Sequence, residues 1–240
     1  MPKFFVQDFD KDCPKICGAD ASHIIKSLRM KIGEELTVCD TKGSDYICKI
    51  SEISDIVRLK VMNCLTSCSE PSVKVTLFQC VPKGDKLESV IQKSVEMGVF
   101  EIVPVLSSRC VSRPDAKAAA KKHARYQKIA NSAAGQSGRG ILPQVGEMIS
   151  FSQLEKSLDD FDKSLIFYEC GGRSLCDTVD KQLGKIAIII GPEGGFDKAE
   201  VERVMALGAV PIGLGARILR TETAPIAALS AIMLLTGNLQ

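Results

Sequence analysis

Residues 185–200 read KIAIIIGPEGGFDKAE. The run Ile186-Ala187-Ile188-Ile189-Ile190 is apolar without alternation, as expected of a strand covered on both faces of a sheet. It stops at Gly191-Pro192-Glu193-Gly194-Gly195-Phe196, and Asp197 and Glu200 then stand at the spacing of a capping box, which starts a helix at Lys198. The glycine segment is therefore a strand-to-helix loop. In an open parallel sheet, ligands bind beyond the carboxyl ends of the strands, and glycines there let backbone amides approach a ligand closely. A tight turn with glycines at positive φ accounts for the same residues without a ligand. Nucleotide loops do not fit: the stretch is not GxxxxGK[ST], no lysine follows to meet phosphates, and the dinucleotide spacing is missing.

Outward from this loop the chain alternates. Strands are predicted over 73–80, 100–106, 164–168, 186–190 and 210–214, and helices over 85–97, 114–135, 198–207 and 222–235. This order predicts an α/β domain with a parallel sheet. Before residue 64 the rhythm differs. Short alternating strands over 4–6, 36–40, 46–50 and 57–61, broken by Gly33, Lys42-Gly43 and Ser54-Asp55, predict a small β-barrel with one wet face and a helix within 21–30. The small, polar stretch 66–72 reads as a linker, which sets two domains, 1–70 and 71–240.

Apolar residues at 45% and charged residues at 25% of 240 exclude a disordered or fibrous chain. With 31 basic and 29 acidic residues the total charge identifies no partner, so distribution must. Residues 1–8 lack the apolar stretch of a signal peptide, and the run 226–235 is too short to span a bilayer. A cytoplasmic protein without membrane contact is expected, its ten cysteines present as thiols. Cys13-x3-Cys17 and Cys64-x3-Cys68 offer four thiolates, but structural zinc favours a C-x2-C knuckle, so no metal is expected.

A second segment, LGARILRTETAP at 214–225, leaves the next strand and opens the last helix. Arg217, Arg220 and Glu222 lie there between two apolar elements, where a structural turn normally uses neutral polar residues. They are either a ligand site or an ion-pair network that ties the loop down.

At these residues the chain resembles the RsmE family, the ribosomal RNA uridine-N3 methyltransferases of the SPOUT superfamily, along its whole length. GPEGGF and LGARILRTETA correspond to the two C-terminal signatures. Residues 82–88, 96–99, Arg109-Cys110 and 134–139 resemble the middle motifs, and 4–6 with 23–34 resemble the family's PUA-like RNA-binding barrel. Ala216, Pro225 and Met97 are small departures. The resemblance implies a C-terminal domain threaded into a trefoil knot that binds S-adenosylmethionine, and a homodimer with the active site near its interface. Carried onto this chain, the cofactor cradle is Gly191, Pro192, Glu193, Gly194, Gly195, Leu214, Gly215, Ile218, Leu219, Arg220, Thr223 and Ala224. The substrate implied is one uridine in 16S ribosomal RNA, within a largely assembled small subunit.

Uracil N3 carries a proton and is a poor nucleophile until it leaves, so a base, or cations beside the flanking carbonyl oxygens, must be supplied. Arg220 and Arg217 are the candidate cations. Glu222, then Glu193, is the candidate base, although Glu222 equally serves only to orient Arg220. On the predicted helix from 114, Lys117, Lys121, Arg125 and Lys128 fall within roughly 80° of one another at ~100° per residue, opposite Ala119, Tyr126, Ala130 and Ala133. This cationic stripe is either a solvated face or an RNA contact leading into Gln136 and Arg139. His23, Lys26, Arg29, Lys31, Lys83 and Arg109 complete the candidate RNA-binding set. Two rivals remain at this point: a SPOUT ribose 2′-O-methyltransferase, whose last helix follows an asparagine-containing segment, and a non-enzymatic RNA-binding assembly factor.

Overall fold

The computed structural model describes residues 1–239. The chain forms two compact units: Met1–Glu70 together with Ala134–Leu142, and Pro71–Ala133 together with Pro143–Gln240.

The first unit holds β1 (Lys3–Phe5), β2 (Lys15–Ile16), α1 (Gly18–Ser22), β3 (Glu35–Cys39), β4 (Ser44–Ile53) and β5 (Val57–Thr66). The strand path is β1-β3-β4-β5-β2, with β1 parallel to β3 and the other pairs antiparallel. Leu36 and Val38, Tyr46, Cys48 and Ile50, and Val57 and Leu59 alternate into one buried cluster, while Glu35, Lys49 and Arg58 beside them face out. That period of two is what one wet face requires. Register shifts in the β4–β5 pair after Ile47 and Ile50 increase its twist and curl the sheet around the cluster. The helix expected within 21–30 is α1 followed by a π-helical turn, His23–Ser27, which stops before Arg29 at φ 53°.

Residues 138–141 are bound into this unit. Cys39 Sγ donates to the Gly140 carbonyl at 3.0 Å, and Lys3 Nζ donates to the Gly138 carbonyl at 3.2 Å. The Glu70 carboxylate accepts from the amides of Gly140 and Ile141 and from the Arg139 guanidinium.

The second unit runs β6 (Lys74–Cys80), α2 (Lys86–Glu96), β7 (Glu101–Leu106), α3 (Ala116–Gln136), β8 (Gln144–Val145), β9 (Ile149–Ser150), α4 (Phe151–Ser157), β10 (Lys163–Phe167), β11 (Lys185–Ile190), α5 (Lys198–Ala206), β12 (Val210–Ile212) and α6 (Ala224–Leu235). Its strands are all parallel, ordered β12-β10-β11-β6-β7-β8 with β9 also on β7. Ala187 and Ile189 of β11 point, with Phe78 and Cys80 of β6, into a cluster closed by α4 and α5. The alternate residues Ile186, Ile188 and Ile190 are also buried, on the face where α6 packs on β6 and β11. Burial on both faces explains the unbroken apolar run of β11. α4 was not expected from the sequence, although a capping box between Ser150 and Gln153 starts it.

Candidate active site

Three loops leave the carboxyl ends of the adjacent strands β12, β10 and β11 and surround one cavity of about 560 Å³. After β10 come Tyr168, Glu169 and Gly171; after β11, Gly191 to Phe196; after β12, Gly213 to Glu222.

The β11 loop is pinned at its far end by Phe196, 2% exposed and edge-on to Phe151, and by Asp197, whose side chain accepts from the Ala199 amide at 3.0 Å. Ahead of these anchors the Gly195 amide donates to the Pro192 carbonyl at 3.0 Å, and Gly195 sits at φ 66°. A Cβ at Gly195 would meet the Glu169 carboxylate, and one at Gly191 would lie 3.1 Å from the Phe196 ring. Glycine is favoured at the first by its positive φ, and at the second a side chain would crowd the Phe196 ring. Behind the loop, Arg109 Nη1 donates to the Gly194 carbonyl at 2.9 Å, and its Nη2 lies 3.6 Å from Asp197.

The β12 loop is tied to the β11 loop through Thr221. Its hydroxyl donates to the Gly191 carbonyl at 2.7 Å and accepts from Gln79 Nε2 at 3.1 Å. The amides of Thr223 and Ala224 donate to the Arg220 carbonyl, and the helix expected from Glu222 begins at Ala224, with Pro225 in its first turn.

Charged groups gather at the cavity. Glu193 Oε1 accepts from the Lys83 amide at 3.1 Å and from Lys86 Nζ at 3.0 Å. Burial pushes the Glu193 carboxyl up, but its own amide, the Lys86 ammonium and the Lys83 amide outweigh it and hold it below the usual carboxylate value. The hydrogen bond to Glu193 raises Lys86, and the Glu222 charge adds to it. Glu222 differs. Its Oε2 lies 3.5 Å from Lys86 Nζ and is buried without a hydrogen bond among the described residues, and its Oε1 is 4.0 Å from Arg220 Nη1. The Arg220 side chain is 83% exposed. The ion-pair network expected as an alternative thus exists, but it runs through Lys86 and leaves both arginines at the cavity rim.

All of the sequence-derived cofactor residues except Thr223 line the cavity, as do Arg217, Arg220, Glu193 and Glu222. The RNA-binding candidates lie elsewhere. Lys83 and Arg109 brace the β11 loop, and His23, Lys26, Arg29, Lys31 and Gln136 are exposed. Arg139 is 3% exposed and forks onto Glu70 at 2.9 and 2.7 Å, a part-buried pair that holds 139–141 in place. Lys117, Lys121, Arg125 and Lys128 do form an exposed stripe over buried Tyr126, Ala130 and Ala133, with Arg125 committed to Glu88 at 2.7 Å. Lys86, Gln79, Thr221 and Glu169 were not singled out from sequence. Lys86 and Thr221 carried a signal, as parts of the 82–88 and 214–224 motifs.

Comparison with known families places the chain. The description "RNA methyltransferase domain" matches residues 69–233, and "RNA methyltransferase PUA domain" matches residues 16–60. The ribosomal RNA small subunit methyltransferase E of Bacillus subtilis is 40% identical over 225 residues, 90% of this chain and 88% of the relative. The chain belongs to the ribosomal RNA small subunit methyltransferase E family. The family's member in Mesomycoplasma hyopneumoniae is 32% identical over 94% of this chain and 96% of its own. A crystal structure of the Neisseria gonorrhoeae member of the family, bound to S-adenosyl methionine, superposes with a TM-score of 0.89 at 31% identity, covering 98% of both chains.

Proposed function

We propose that this protein transfers a methyl group from S-adenosylmethionine to N3 of a uridine in the 16S RNA of the small ribosomal subunit. One observation carries the reading: the glycine loop after β11 and the arginine loop after β12 are joined by Thr221 around a single cavity whose rim holds Arg220 and Glu222. At about 560 Å³ the cavity falls within the range of roughly 300–1,000 Å³ typical of small-molecule sites. The bare backbone at Gly191 and Gly195, both in the cavity lining, suits recognition of an adenine and ribose by main-chain groups. Leu214, Ile218 and Leu219 supply apolar walls. The Neisseria gonorrhoeae relative with S-adenosyl methionine bound supports the same cofactor here.

When bound, the cofactor supplies an electrophilic methyl group on a positively charged sulfur. The residues of this chain make N3 able to receive it. Glu222 takes the N3 proton on Oε1, the oxygen on the side of Arg220, while Oε2 is buried beside Lys86. Glu193 is the weaker base, because Lys86 and the Lys83 amide stabilise its anion. Arg220 and Arg217 stand at the rim, where their charge offsets the anion that develops on the uracil carbonyl oxygens as the proton leaves. N3 would then receive the methyl group through its lone pair, the carbon–sulfur bond breaking with its electrons left on a now neutral sulfur.

The second unit is read as a SPOUT trefoil knot. In support, the chain leaves β12 at the sheet edge, reaches back through Thr221 to Gly191 and Gln79, and ends in α6 against β6 and β11. The homodimer reading draws on α6 itself, which is apolar on every side and leaves Leu234 60% exposed. Residues 1–70 are read as the RNA-binding domain and 71–240 as the methyltransferase domain, acting in the cytoplasm. Exposed Lys26, Arg29 and Lys31 on the first, with the α3 stripe on the second, favour phosphate contact.

Mass-spectrometric mapping of ribosomal RNA from cells with and without the gene tests the assignment. Loss of one 3-methyluridine from 16S RNA is expected. Its persistence would refute the reading, and loss of a 2′-O-methyl group instead would transfer it to ribose chemistry.

A further inference from the structure

Lys86 is the first residue of α2, and α2 packs on α6, which begins two residues after Glu222. The lysine stem therefore rises from one rigid helix toward the entry of another. Its ammonium sits between two carboxylates from different loops, bonded to Glu193 at 3.0 Å and only approaching Glu222 at 3.5 Å. The Lys83 amide reinforces the same choice by donating to Glu193 as well. An exposed ion pair made for its own sake would satisfy the second carboxylate with solvent. Here Glu222 Oε2 is buried and has no hydrogen bond among the described residues.

We infer that Lys86 is a positioning residue for methyl transfer: anchored by Glu193, its ammonium sets the Glu222 carboxylate through the buried Oε2 and leaves Oε1, on the side of Arg220, to accept the uracil proton. The inference rests on the methyltransferase reading above and deepens it. The other groups facing this arrangement are Arg220 beside Glu222, the Lys83 amide beside Glu193, and Tyr168 and Glu169 across the cavity.

The test uses the full-length protein, small ribosomal subunits from a strain lacking the gene, and single-turnover methyl transfer. Lys86→Met is expected to slow transfer by tenfold or more, and Lys86→Arg to restore most of the rate. Affinity for S-adenosylmethionine, measured by calorimetry, should stay within about twofold in both variants. An unchanged rate in Lys86→Met, an arginine variant no better than the methionine one, or a loss confined to cofactor affinity overturns the inference. Failure of the unmutated protein to methylate the subunits would instead sink the methyltransferase reading.

Discussion

The Thr221 hydroxyl donates to the Gly191 carbonyl at 2.7 Å across 30 residues of chain. A hydroxyl has one proton to give, so it must accept from Gln79 Nε2, and this fixes the orientation of the buried amide. One side chain thereby joins β6 and the two loops that line the cavity.

Replacing Thr221 by valine keeps the shape and removes both bonds. Each buried group left unpaired costs about 1–3 kcal/mol. Urea denaturation should show that loss, and calorimetry should show weakened S-adenosylmethionine binding. Serine should retain most of both.

Arg220 is expected to behave in the opposite way. Its side chain is 83% exposed and its nearest carboxylate oxygen is 4.0 Å away, so Arg220→Ala should alter stability by no more than about 0.5 kcal/mol. If it stabilises developing charge on uracil, the rate should fall by roughly 10²–10³. A wild-type rate in this variant would remove Arg220 from the mechanism.

The pair Glu70–Arg139 predicts a pH dependence of stability. Burial raises the Glu70 carboxyl, but the Arg139 hydrogen bonds and charge, with the Gly140 and Ile141 amides, outweigh it and hold it below its ordinary 4.5. A carboxyl depressed in the folded state stabilises fully above its unfolded value, and the contribution disappears as pH falls through the folded one. Stability measured by urea unfolding should therefore drop below about pH 4.5, and less steeply in Glu70→Gln. Arg139→Ala leaves the part-buried Glu70 carboxylate with only the Gly140 and Ile141 amides and should cost about 1–3 kcal/mol.

The α3 stripe predicts a salt effect. If Lys117, Lys121 and Lys128 each neutralise one RNA phosphate, changing all three to glutamine should reduce the slope of log affinity against log salt by roughly 2–3. An unchanged slope would make the stripe a solvated surface.

Much of the site was legible because its signals are local. The unbroken apolar run of β11 reports burial on both faces, and the spacing of Asp197 and Glu200 reports a helix start; the structure contains that capping box. Glu200 shows where locality ends. Besides capping α5, it accepts from the Ser108 amide at 2.7 Å and from its hydroxyl at 3.0 Å, partners 92 residues away that no pattern around Glu200 indicates.

Arg139 and Lys86 mark the same boundary from two sides. Arginine in a glycine-rich turn reads as surface charge, and only the fold brings Glu70 to it from 69 residues away. Lysine at the start of a helix reads as solvated, and only the meeting of three segments places it between Glu193 and Glu222. Sequence alone determined the alternation of strands and helices, the two cavity loops and the cationic face of α3, because backbone conformation and one-sided burial leave periodic traces along a chain. Tertiary structure decided which charges pair, which carboxylate oxygen stays unbonded and which arginine is buried, because those depend on distances between residues whose separation in sequence carries no record of their contact.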